Sequence, residues 1–561
     1  MCLIEADEVG KENLEISKIR SIPISGEIWN DQIKSLAVDH EKGIWVGTYK
    51  SGIYHLTSQT IRVYSKTDWG TKSENVYPIF EDSQNNVWVG VWIATLIKYD
   101  RDNNFKVFPK TPLDVSFSSF FEDSHKRIWI GGRKKVGYFE NNEFAVFDKF
   151  DDWGQLYINA MAEDNNGGIW FGSAAKLVRY ADNQVKVFTP VDGLPDKFIT
   201  ALLKTKDGKL WIGTKRGLAV YENEKIQAFT VQDDLNYEHV RSLYEDADGN
   251  LWIGTYDTGL IRYTDGKFTR ITVKDGMFNG NVFCTLEDDN GWFWINSNQG
   301  IYRVKKQQLN DFADGRIKKV DSIAYNKNDG LLNTEGNGGV QPAGIRRRNG
   351  ELWFPTQQGV AVIEPNKISI NHLPPPVFLE EISVDNQDIG KYGKEIKIQP
   401  GQNNLEIHYT GLSFVNSPMV KFRYRLEGLE EDWNEIGTRR FALYNNLPPG
   451  EYIFRVLAAN RDSVWNMQGA SIKIVKLPFF YQTRWFIVLL IIIVAAIISL
   501  IFYNRFSHLR NIAETTQRFL ERIIESQEAE RKRIAVELHD GVGQSLAIIS
   551  NRAALGKKKE R

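Results

Sequence analysis

A tryptophan-centred pattern recurs along this chain at an almost constant interval. Tryptophan, followed by Val, Ile or Phe and in most repeats by Gly, occurs at Trp45, Trp88, Trp129, Trp170, Trp211, Trp252, Trp294 and Trp353. The successive intervals are 43, 41, 41, 41, 41, 42 and 59 residues. Such a period predicts a repeat protein in which each unit buries apolar surface against the next one. These eight positions also explain half of the 16 tryptophans in the chain.

The repeat between residues 240 and 271 indicates what one unit contains. Four short runs of β-branched, aromatic and other apolar residues are separated by turn residues, of which Asp246-Ala-Asp-Gly-Asn250 and Asp265-Gly266 are the clearest. Four strands joined by hairpin turns predict one blade of a β-propeller. A helical solenoid of similar period is disfavoured because the runs are short and rich in strand-forming residues.

The turn that begins at Asp246 also offers carboxylates, as a calcium loop does. A calcium loop of the helix–loop–helix type needs Gly at its sixth position and Glu at its twelfth. Counted from Asp246, those positions hold Leu251 and Asp257, so we predict a structural turn. The two cysteines, Cys2 and Cys284, lie far apart in sequence and predict neither a disulfide nor a metal site. We expect no metal in the chain.

The repeats resemble the two-component regulator propeller repeat. Trp211-Ile-Gly-Thr-Lys-Arg-Gly-Leu218 carries the W-I-G-T-x-x-G-L pattern of that family, whereas the second repeat has Ala94-Thr-Leu96 in place of the later Gly-Leu. The resemblance implies a sensor propeller over residues 19–372, with seven or eight four-stranded blades. Eight repeats allow either one eight-bladed ring or a seven-bladed ring with one further blade. The longest interval contains a Gly- and Asn-rich insertion at residues 330–339.

Residues 373–478 predict a second β domain. Leu373-Pro-Pro-Pro376 is typical of a stiff linker, and alternating apolar residues predict strands at 405–409, 422–426 and 452–456. The domain resembles the three-Y (Y_Y_Y) domain through an aromatic array at Tyr424, Trp433, Tyr444 and Tyr452. That resemblance implies an immunoglobulin-like β-sandwich. We interpret its tyrosines as packing residues.

Residues 485–503 predict a transmembrane helix. This run of nineteen residues contains no charge and has aromatic residues at both ends. At about 1.5 Å per residue it matches a hydrocarbon core of about 30 Å. Arg505 and Arg510 follow the run, which favours a cytoplasmic C-terminal side.

The segment 504–561 is charged and predicts helix with one apolar stripe. The stripe recurs at helical offsets in Ile534, Leu538, Val542, Leu546 and Ile549. His539 lies one step past Leu538, at the edge of that stripe. One helical turn away are Ala535 and Gly543, which are small enough to leave the imidazole uncovered.

The run 530–546 resembles the subgroup-3 dimerisation and phosphoacceptor segment (HisKA_3) of sensor histidine kinases, with its E-R-x-R-I-A-x-E-L-H-D pattern. The resemblance implies that His539 accepts a phosphoryl group and that Asp540 orients it or takes its proton. A neutral imidazole is a competent nucleophile near pH 7. The resemblance also implies a homodimer through the C-terminal helices and a response regulator as partner, with a LuxR-type helix-turn-helix output. ATP and Mg²⁺ are implied only for a kinase domain, and no cofactor is expected in this chain.

Both ends of the sequence depart from what the resemblance leads us to expect. Residues 1–18 lack the basic start and apolar core of a signal peptide. The segment 504–561 holds only part of a dimerisation and phosphoacceptor domain, with no ATP-binding domain after it. We therefore expect a fragment that does not phosphorylate itself.

The resemblance implies a single-pass protein of the bacterial inner membrane, with the propeller and the three-Y domain outside the cytoplasm and the C-terminus inside it. The ligand is expected to be extracytoplasmic, and a glycan is one candidate class. Aromatic residues outside the repeat register are candidate sugar contacts, namely Trp29, Trp69, Trp92, Trp153 and Trp292. A formal net charge of -1 gives no reason to expect direct nucleic-acid binding.

Two other functions remain open at this stage. A propeller lyase or glycosidase would need convergent carboxylates or a His/Tyr pair at the ring centre, and the sequence indicates no such constellation. A membrane-anchored scaffold or glycan-binding protein without phosphotransfer would need only the propeller and the membrane span. Activity at His539 distinguishes the sensor from the scaffold.

Overall fold

A computed structural model of the chain describes residues 2–4, 19–21, 31–57, 59–113, 116–149, 157–229, 238–368, 370–390 and 393–556. The chain forms two compact units. The first contains residues 1–382, 406–442 and 453–471, and the second contains residues 383–405, 443–452 and 472–561.

The first unit begins with strands that precede the ring of blades. Strands β1 and β2 form an antiparallel pair, β3 to β5 form a three-stranded sheet, and β6 follows. Their bounds are Cys2–Ile4, Ile19–Ser21, Ile33–Val38, Ile44–Thr48, Ile53–Leu56 and Ile61–Tyr64. A short helix, α1, covers Lys66–Trp69. The three-stranded sheet contains Trp45, the first tryptophan of the repeat, and all six residues of β3 are exposed.

The next strands form six antiparallel, four-stranded blades in sequence order. Blades one to three comprise β7 to β18, at Val76–Glu81, Val87–Val91, Thr95–Tyr99, Phe105–Phe108, Phe117–Glu122, Ile128–Gly132, Val136–Glu140, Glu143–Val146, Ile158–Glu163, Ile169–Ser173, Leu177–Ala181 and Gln184–Phe188. Blades four to six comprise β19 to β30, at Ile199–Lys204, Leu210–Thr214, Gly217–Glu222, Lys225–Ala228, Val240–Glu245, Leu251–Thr255, Leu260–Thr264, Lys267–Ile271, Cys284–Glu287, Trp292–Ser297, Gly300–Lys305 and Ser322–Tyr325. Helix α2, Lys306–Ala313, lies between the last two strands of blade six.

Blade seven closes the ring with strands from two distant parts of the chain. Strands β31 to β33, at Ile345–Arg346, Leu352–Thr356 and Gly359–Ile363, pair with β6 in the order β31-β32-β33-β6. Strand β32 also contacts the first strand of blade one. Within the described residues the ring therefore has seven blades, and the β3–β5 sheet is the further blade-like unit. The sequence alone did not distinguish a seven-bladed from an eight-bladed ring, because it did not reveal that β6 completes the last blade.

The tryptophans of the repeat are core residues held by a recurring aspartate. Trp88, Trp129, Trp170, Trp252 and Trp294 are each at most 1% exposed. In each of these repeats an Asp six residues earlier accepts a hydrogen bond from the indole Nε1, at 2.8–2.9 Å. The Asp246 carboxylate also accepts hydrogen bonds from the backbone N and the Nδ2 of Asn250. The turn carboxylates thus stabilise the turn and anchor the indole.

The remaining strands form the β domain that follows the propeller. They are β34 to β42, at Val377–Val384, Gln387–Asp388, Glu395–Ile398, Asn404–Gly411, Lys421–Glu427, Asn434–Gly437, Phe441–Asn445, Gly450–Ala459 and Ala470–Lys476. The strands predicted at 405–409, 422–426 and 452–456 lie within β37, β38 and β41. In the first unit, β38 pairs in antiparallel fashion with β39 and β41.

The tyrosines of the aromatic array are buried. Tyr424, Tyr444 and Tyr452 are 6–8% exposed. Within the first unit, the ring of Tyr424 lies 5.6 Å from Phe454 and 6.4 Å from Tyr409. These positions agree with the packing role predicted for the tyrosines.

The second unit ends in one long helix, α3, Arg484–Gly556. It is 73 residues long and contains the uncharged run 485–503 and the segment around His539 without a break. It is the one helix among the described residues that is long and apolar enough to cross a membrane. The sequence predicted two consecutive helical segments, which the structure joins into one.

Candidate functional site

The predicted phosphoacceptor lies on an open stretch of α3. His539 and Asp540 are both exposed. A Cβ built on Gly541 or Gly543 would meet no other atom within 4 Å, so this stretch has open space around it. An exposed imidazole can be approached by a phosphoryl donor, which a histidine packed in a core could not be. The geometry is therefore compatible with nucleophilic chemistry at His539.

The predicted apolar stripe beside His539 is also exposed. Its members are 44–62% exposed, namely Ile534, Leu538, Val542, Leu546 and Ile549. An amphipathic helix of this kind is stabilised when the stripe packs against another helix. The stripe thus has the form needed for the predicted helix–helix dimer.

One end of the ring presents the loops that carry the exposed aromatic residues. There the start of the first strand of a blade lies beside the turn between its second and third strands. The backbone N of Trp92 donates to the Asn75 carbonyl at 2.8 Å in blade one, and Tyr256 donates to His239 at 2.9 Å in blade five. We call this end of the ring the loop face. Loops positioned by a rigid scaffold commonly carry binding residues.

The structure separates the five tryptophans predicted as sugar contacts. Trp92 is 37% exposed on the loop face, with its ring 5.3 Å from Tyr77 and 6.1 Å from Tyr157. Trp69 is 5% exposed and donates to the Tyr99 hydroxyl at 2.6 Å, so it is a core residue without a surface for a ligand.

Trp292 lies on the second strand of blade six and is covered by basic side chains. The Arg303 guanidinium and the Lys305 ammonium each lie 4.4 Å from the centre of its ring. Because cation–π contacts occupy this ring, it is a weaker candidate than Trp92 for a sugar contact. Trp29 and Trp153 lie outside the described residues.

A segment that begins within the Gly- and Asn-rich insertion and continues beyond it crosses the centre of the ring. The first strands of neighbouring blades contact one another and so surround that centre. Gln341 bridges to Ser119 in blade two, and its side chain exchanges two hydrogen bonds with the backbone of Leu202 in blade four, at 2.9 and 2.6 Å. Ala343 bridges to Ile79 in blade one. Residues 336–344, which we call the central segment, therefore link blades on opposite sides of the ring.

The propeller and part of the β domain meet within the first unit through acidic residues. Glu41 accepts hydrogen bonds from the Ser413 hydroxyl at 2.8 Å, the Val415 backbone N at 3.0 Å, the Phe414 backbone N and the Asn371 amide at 2.7 Å. One carboxylate thus fixes the turn that follows β37 against the three-stranded sheet. We call this region the junction, and the contacts of Asp329 also belong to it.

A second carboxylate of the junction is buried. Asp329 is 4% exposed and accepts hydrogen bonds from the Arg461 guanidinium and from the Asn416 amide at 3.2 Å. Nearby, Asp462 lies 3.8 Å from Arg303 of blade six. Buried ion pairs of this kind fix a specific arrangement, because removal of one partner leaves an uncompensated charge.

The junction borders a cavity of about 530 Å³. Its lining residues include Glu41, Asn371, His372, Asp329 and Arg461. Nothing in the sequence distinguished Glu41 or Asp329 from the other acidic turn residues. Their role depends on contacts with residues 87 to 374 positions away, which local patterns do not reveal.

Models of three protein families match successive parts of the chain. The model described as "Two component regulator propeller" matches residues 153–175, 193–216 and 234–257. The Y_Y_Y domain model matches residues 413–477, and the model described as "Histidine kinase" (HisKA_3) matches residues 530–560, which contain His539. These matches confirm the resemblance on which the sequence analysis relied.

Two individual proteins extend the comparison. Histidine kinase P4 of Formosa agariphila is 26% identical over 261 residues, which are 44% of this chain and 18% of that protein. The extracellular domain named for the hybrid two component system BT3049 of B. thetaiotaomicron has a TM-score of 0.65 at 20% identity, and the match covers 82% of this chain and 64% of that domain. The latter likeness shows the fold.

A further solved structure is the extracellular domain named for the one component system BT4673 of B. thetaiotaomicron. It is 17% identical, with 80% of this chain and 62% of that chain covered and a TM-score of 0.44. The chain spans less than a fifth of the curated relative and less than two thirds of either solved domain. Together the matches show that one chain contains segments similar to a two-component regulator propeller, a Y_Y_Y domain and a histidine kinase.

Proposed function

We propose that this chain is the ligand-receiving, membrane-spanning and phosphoacceptor part of a sensor histidine kinase in a bacterial two-component system. The propeller and the Y_Y_Y domain lie outside the cytoplasm, α3 crosses the inner membrane once at residues 485–503, and residues 504–556 lie in the cytoplasm. His539 accepts the phosphoryl group. ATP and Mg²⁺ act in a kinase domain that supplies that group.

One observation carries this proposal. His539 is exposed within the matched histidine kinase segment, and the same unbroken helix contains the span at residues 485–503. A helix that leaves a membrane and presents a histidine beside an apolar stripe can convert a change in helix position into a change in access to the imidazole. Such coupling needs a second state in which the helices of a dimer differ in spacing or rotation.

The chemistry at His539 follows from its side chain. The unprotonated imidazole nitrogen attacks the terminal phosphorus of ATP, the bond to the leaving ADP oxygen breaks, and a phosphoramidate forms. Asp540 accepts or directs the proton on the other ring nitrogen. The phosphoryl group then passes to an aspartate of a response regulator, for which we expect a LuxR-type DNA-binding output.

The ligand site belongs to the loop face of the ring. Trp92 with Tyr77 and Tyr157 offers exposed aromatic surface there, which suits the apolar face of a sugar. An oligosaccharide outside the cytoplasm is therefore the ligand class that we propose. The junction would carry its effect toward the Y_Y_Y domain, because Glu41 and Asp329 hold the two parts together within one compact unit.

A phosphotransfer assay in vitro tests the proposal. The chain, in detergent, is mixed with an intact histidine kinase of the same dimerisation subgroup and radiolabelled ATP. We expect acid-labile, base-stable label on the wild-type chain and on His508→Gln, which removes another exposed histidine of α3. His539→Gln should carry no label. Equal labelling of His539→Gln and wild type, or no label on any of the three chains, would contradict the proposal.

A further inference from the structure

The innermost strands of blades two to five share a bulge, and blade five places an arginine in it. The pairing between the first and second strands shifts at the same position in each, at Ser118, Asn159, Thr200 and Arg241. In blades two and three the bulged side chain donates to a carbonyl of the next blade, at 2.7 and 2.9 Å. Bulges often redirect a side chain beside a functional site. A guanidinium at this position is an exception within the ring.

The Arg241 guanidinium lies among aromatic rings and glycine backbone. It is 4.9 Å from the centre of the Tyr256 ring and 5.9 Å from that of Phe283. A Cβ built on Gly339 of the central segment would lie 2.4 Å from Arg241 Nη1, and one built on Gly338 would lie 2.5 Å from Phe283 Cγ. The two glycines therefore leave the space that Arg241 and Phe283 occupy.

Arg241 has no anionic partner among the described residues. Its Nε is buried without a hydrogen-bond partner, and no described carboxylate lies within ion-pair distance of the guanidinium. Burial lowers the pKa of Arg241. A partly buried cation without a counter-charge is costly, so a site that retains one is poised to accept an anion from outside.

The neighbouring His239 and Lys215 supply no negative charge to Arg241. Burial, Arg241 and Lys215 together lower the pKa of His239 to about 4, so this imidazole is neutral at pH 7. Its Nε2 is buried and has no hydrogen-bond partner. His239 directly precedes the first strand of blade five, and Lys215 lies in the turn between the second and third strands of blade four. Both residues therefore lie at the loop face.

Asp196, whose charge acts on His239, and Glu238, its neighbour in sequence, are paired with other arginines. Asp196 lies 3.6 Å from Arg216, and Glu238 lies 2.6 Å from Arg270. Among the described residues, these carboxylates therefore do not neutralise Arg241. The result is a local positive site at the ring centre in a chain whose formal net charge is only -1.

We propose that Arg241 binds the oxyanion group of an acidic oligosaccharide, a sugar carboxylate or a sulfate ester. Arginine binds such groups through two parallel N–H donors, which makes it specific for their geometry. Tyr256, which is 50% exposed, supplies a face against which the sugar ring packs, and Lys215 adds attraction at longer range. This inference rests on the proposed ligand-receiving function and specifies the ligand class.

Calorimetric titration of the full chain in detergent tests the inference. Three probes are used: trigalacturonic acid for the carboxylate, neocarrabiose 4-sulfate for the sulfate ester, and α-1,4-galactotriose as a neutral counterpart. We expect at least one acidic probe to bind and the neutral probe to bind at least about tenfold more weakly, as the loss of a charge-assisted pair predicts. The acidic probe that binds identifies the oxyanion.

Variants connect that binding to Arg241. Arg241→Gln should lower the affinity for the acidic probe at least about tenfold and leave the affinity for the neutral probe unchanged. Lys215→Gln should lower the affinity for the acidic probe about threefold, and this effect should depend on salt. Lys267→Gln removes an exposed positive charge on the outermost strand of the same blade and should leave both affinities unchanged. If Arg241→Gln does not fold, the exposed Lys215→Gln still tests the site.

Three results would overturn the inference: equal affinity for acidic and neutral probes, no binding of either acidic probe, or unchanged acidic binding in a folded Arg241→Gln. His539→Gln should bind the acidic probe as wild type does. If phosphotransfer to His539 fails while this binding persists, the signalling function is wrong and the anion site stands. If phosphotransfer succeeds without Arg241-dependent binding, only the anion site is wrong.

Discussion

Single residues of the propeller combine turn formation with core packing. Asp246 is 1% exposed, accepts from Trp252 Nε1 at 2.9 Å and closes the turn through Asn250. Burial raises the pKa of Asp246 and the hydrogen bonds lower it, and the resulting pKa is below the ordinary value of 3.8. The folded protein therefore favours the charged form of the Asp246 carboxyl.

Replacement of this carboxylate should destabilise the propeller. Asp246→Ala leaves the Trp252 indole N–H and the Asn250 amide without an acceptor, and we expect a loss of about 3 kcal/mol in the free energy of unfolding. Urea unfolding followed by tryptophan fluorescence measures it. Asp248→Ala is the control, because the Asp248 side chain is 65% exposed, and its change should be below about 0.5 kcal/mol. Equal losses in both variants would contradict the anchoring role.

At the scale of elements, the junction is the contact whose stability should depend on pH. Burial raises the pKa of Asp329 above its ordinary value of 3.8, and Arg461 opposes that rise. Because the folded-state pKa is above the unfolded one, the stabilisation that Asp329 contributes is complete below about pH 4 and is lost as the pH rises through the raised pKa.

Asp329→Asn should remove this dependence. We expect the stability of wild type relative to Asp329→Asn to fall between pH 4 and pH 7, as measured by urea unfolding at a series of pH values. Asp321→Asn is the matched control, because the Asp321 side chain is 40% exposed and pairs with Lys421 of the β domain within the first unit, and it should show a weaker trend. A relative stability that instead rises with pH would mean that the ion pair with Arg461 outweighs burial.

The sequence predicted those elements whose pattern is local. The tryptophan repeat predicted the blades, the alternation at 422–426 predicted β38, and the uncharged run at 485–503 predicted part of α3. The closure by β6 and the path of the central segment were not predicted, because both depend on contacts between residues far apart in the chain. For the same reason Arg241 was not identified, since its distinction lies in a bulge and in the absence of a partner among the described residues.

At the scale of the whole molecule, the account requires α3 to be inserted in a membrane. Val494 lies near the middle of the uncharged run. Val494→Arg places a charge there at a cost of about 2.5–3.5 kcal/mol on insertion scales, so we expect a larger fraction of this variant than of the wild type to be extractable by alkaline carbonate. Val494→Leu should remain in the membrane fraction. Retention of both variants to the same extent would contradict insertion at this run.

The central claim is that the propeller and His539 lie on opposite sides of that membrane. Single cysteines in place of Lys225, on the outermost strand of blade four, and of Gln544, near His539, report it in a Cys2→Ser, Cys284→Ala background, which has no other cysteine. In intact spheroplasts, a membrane-impermeant maleimide should label Lys225→Cys but label Gln544→Cys only after lysis. Labelling of Gln544→Cys in intact spheroplasts would place His539 outside the cytoplasm and contradict the account.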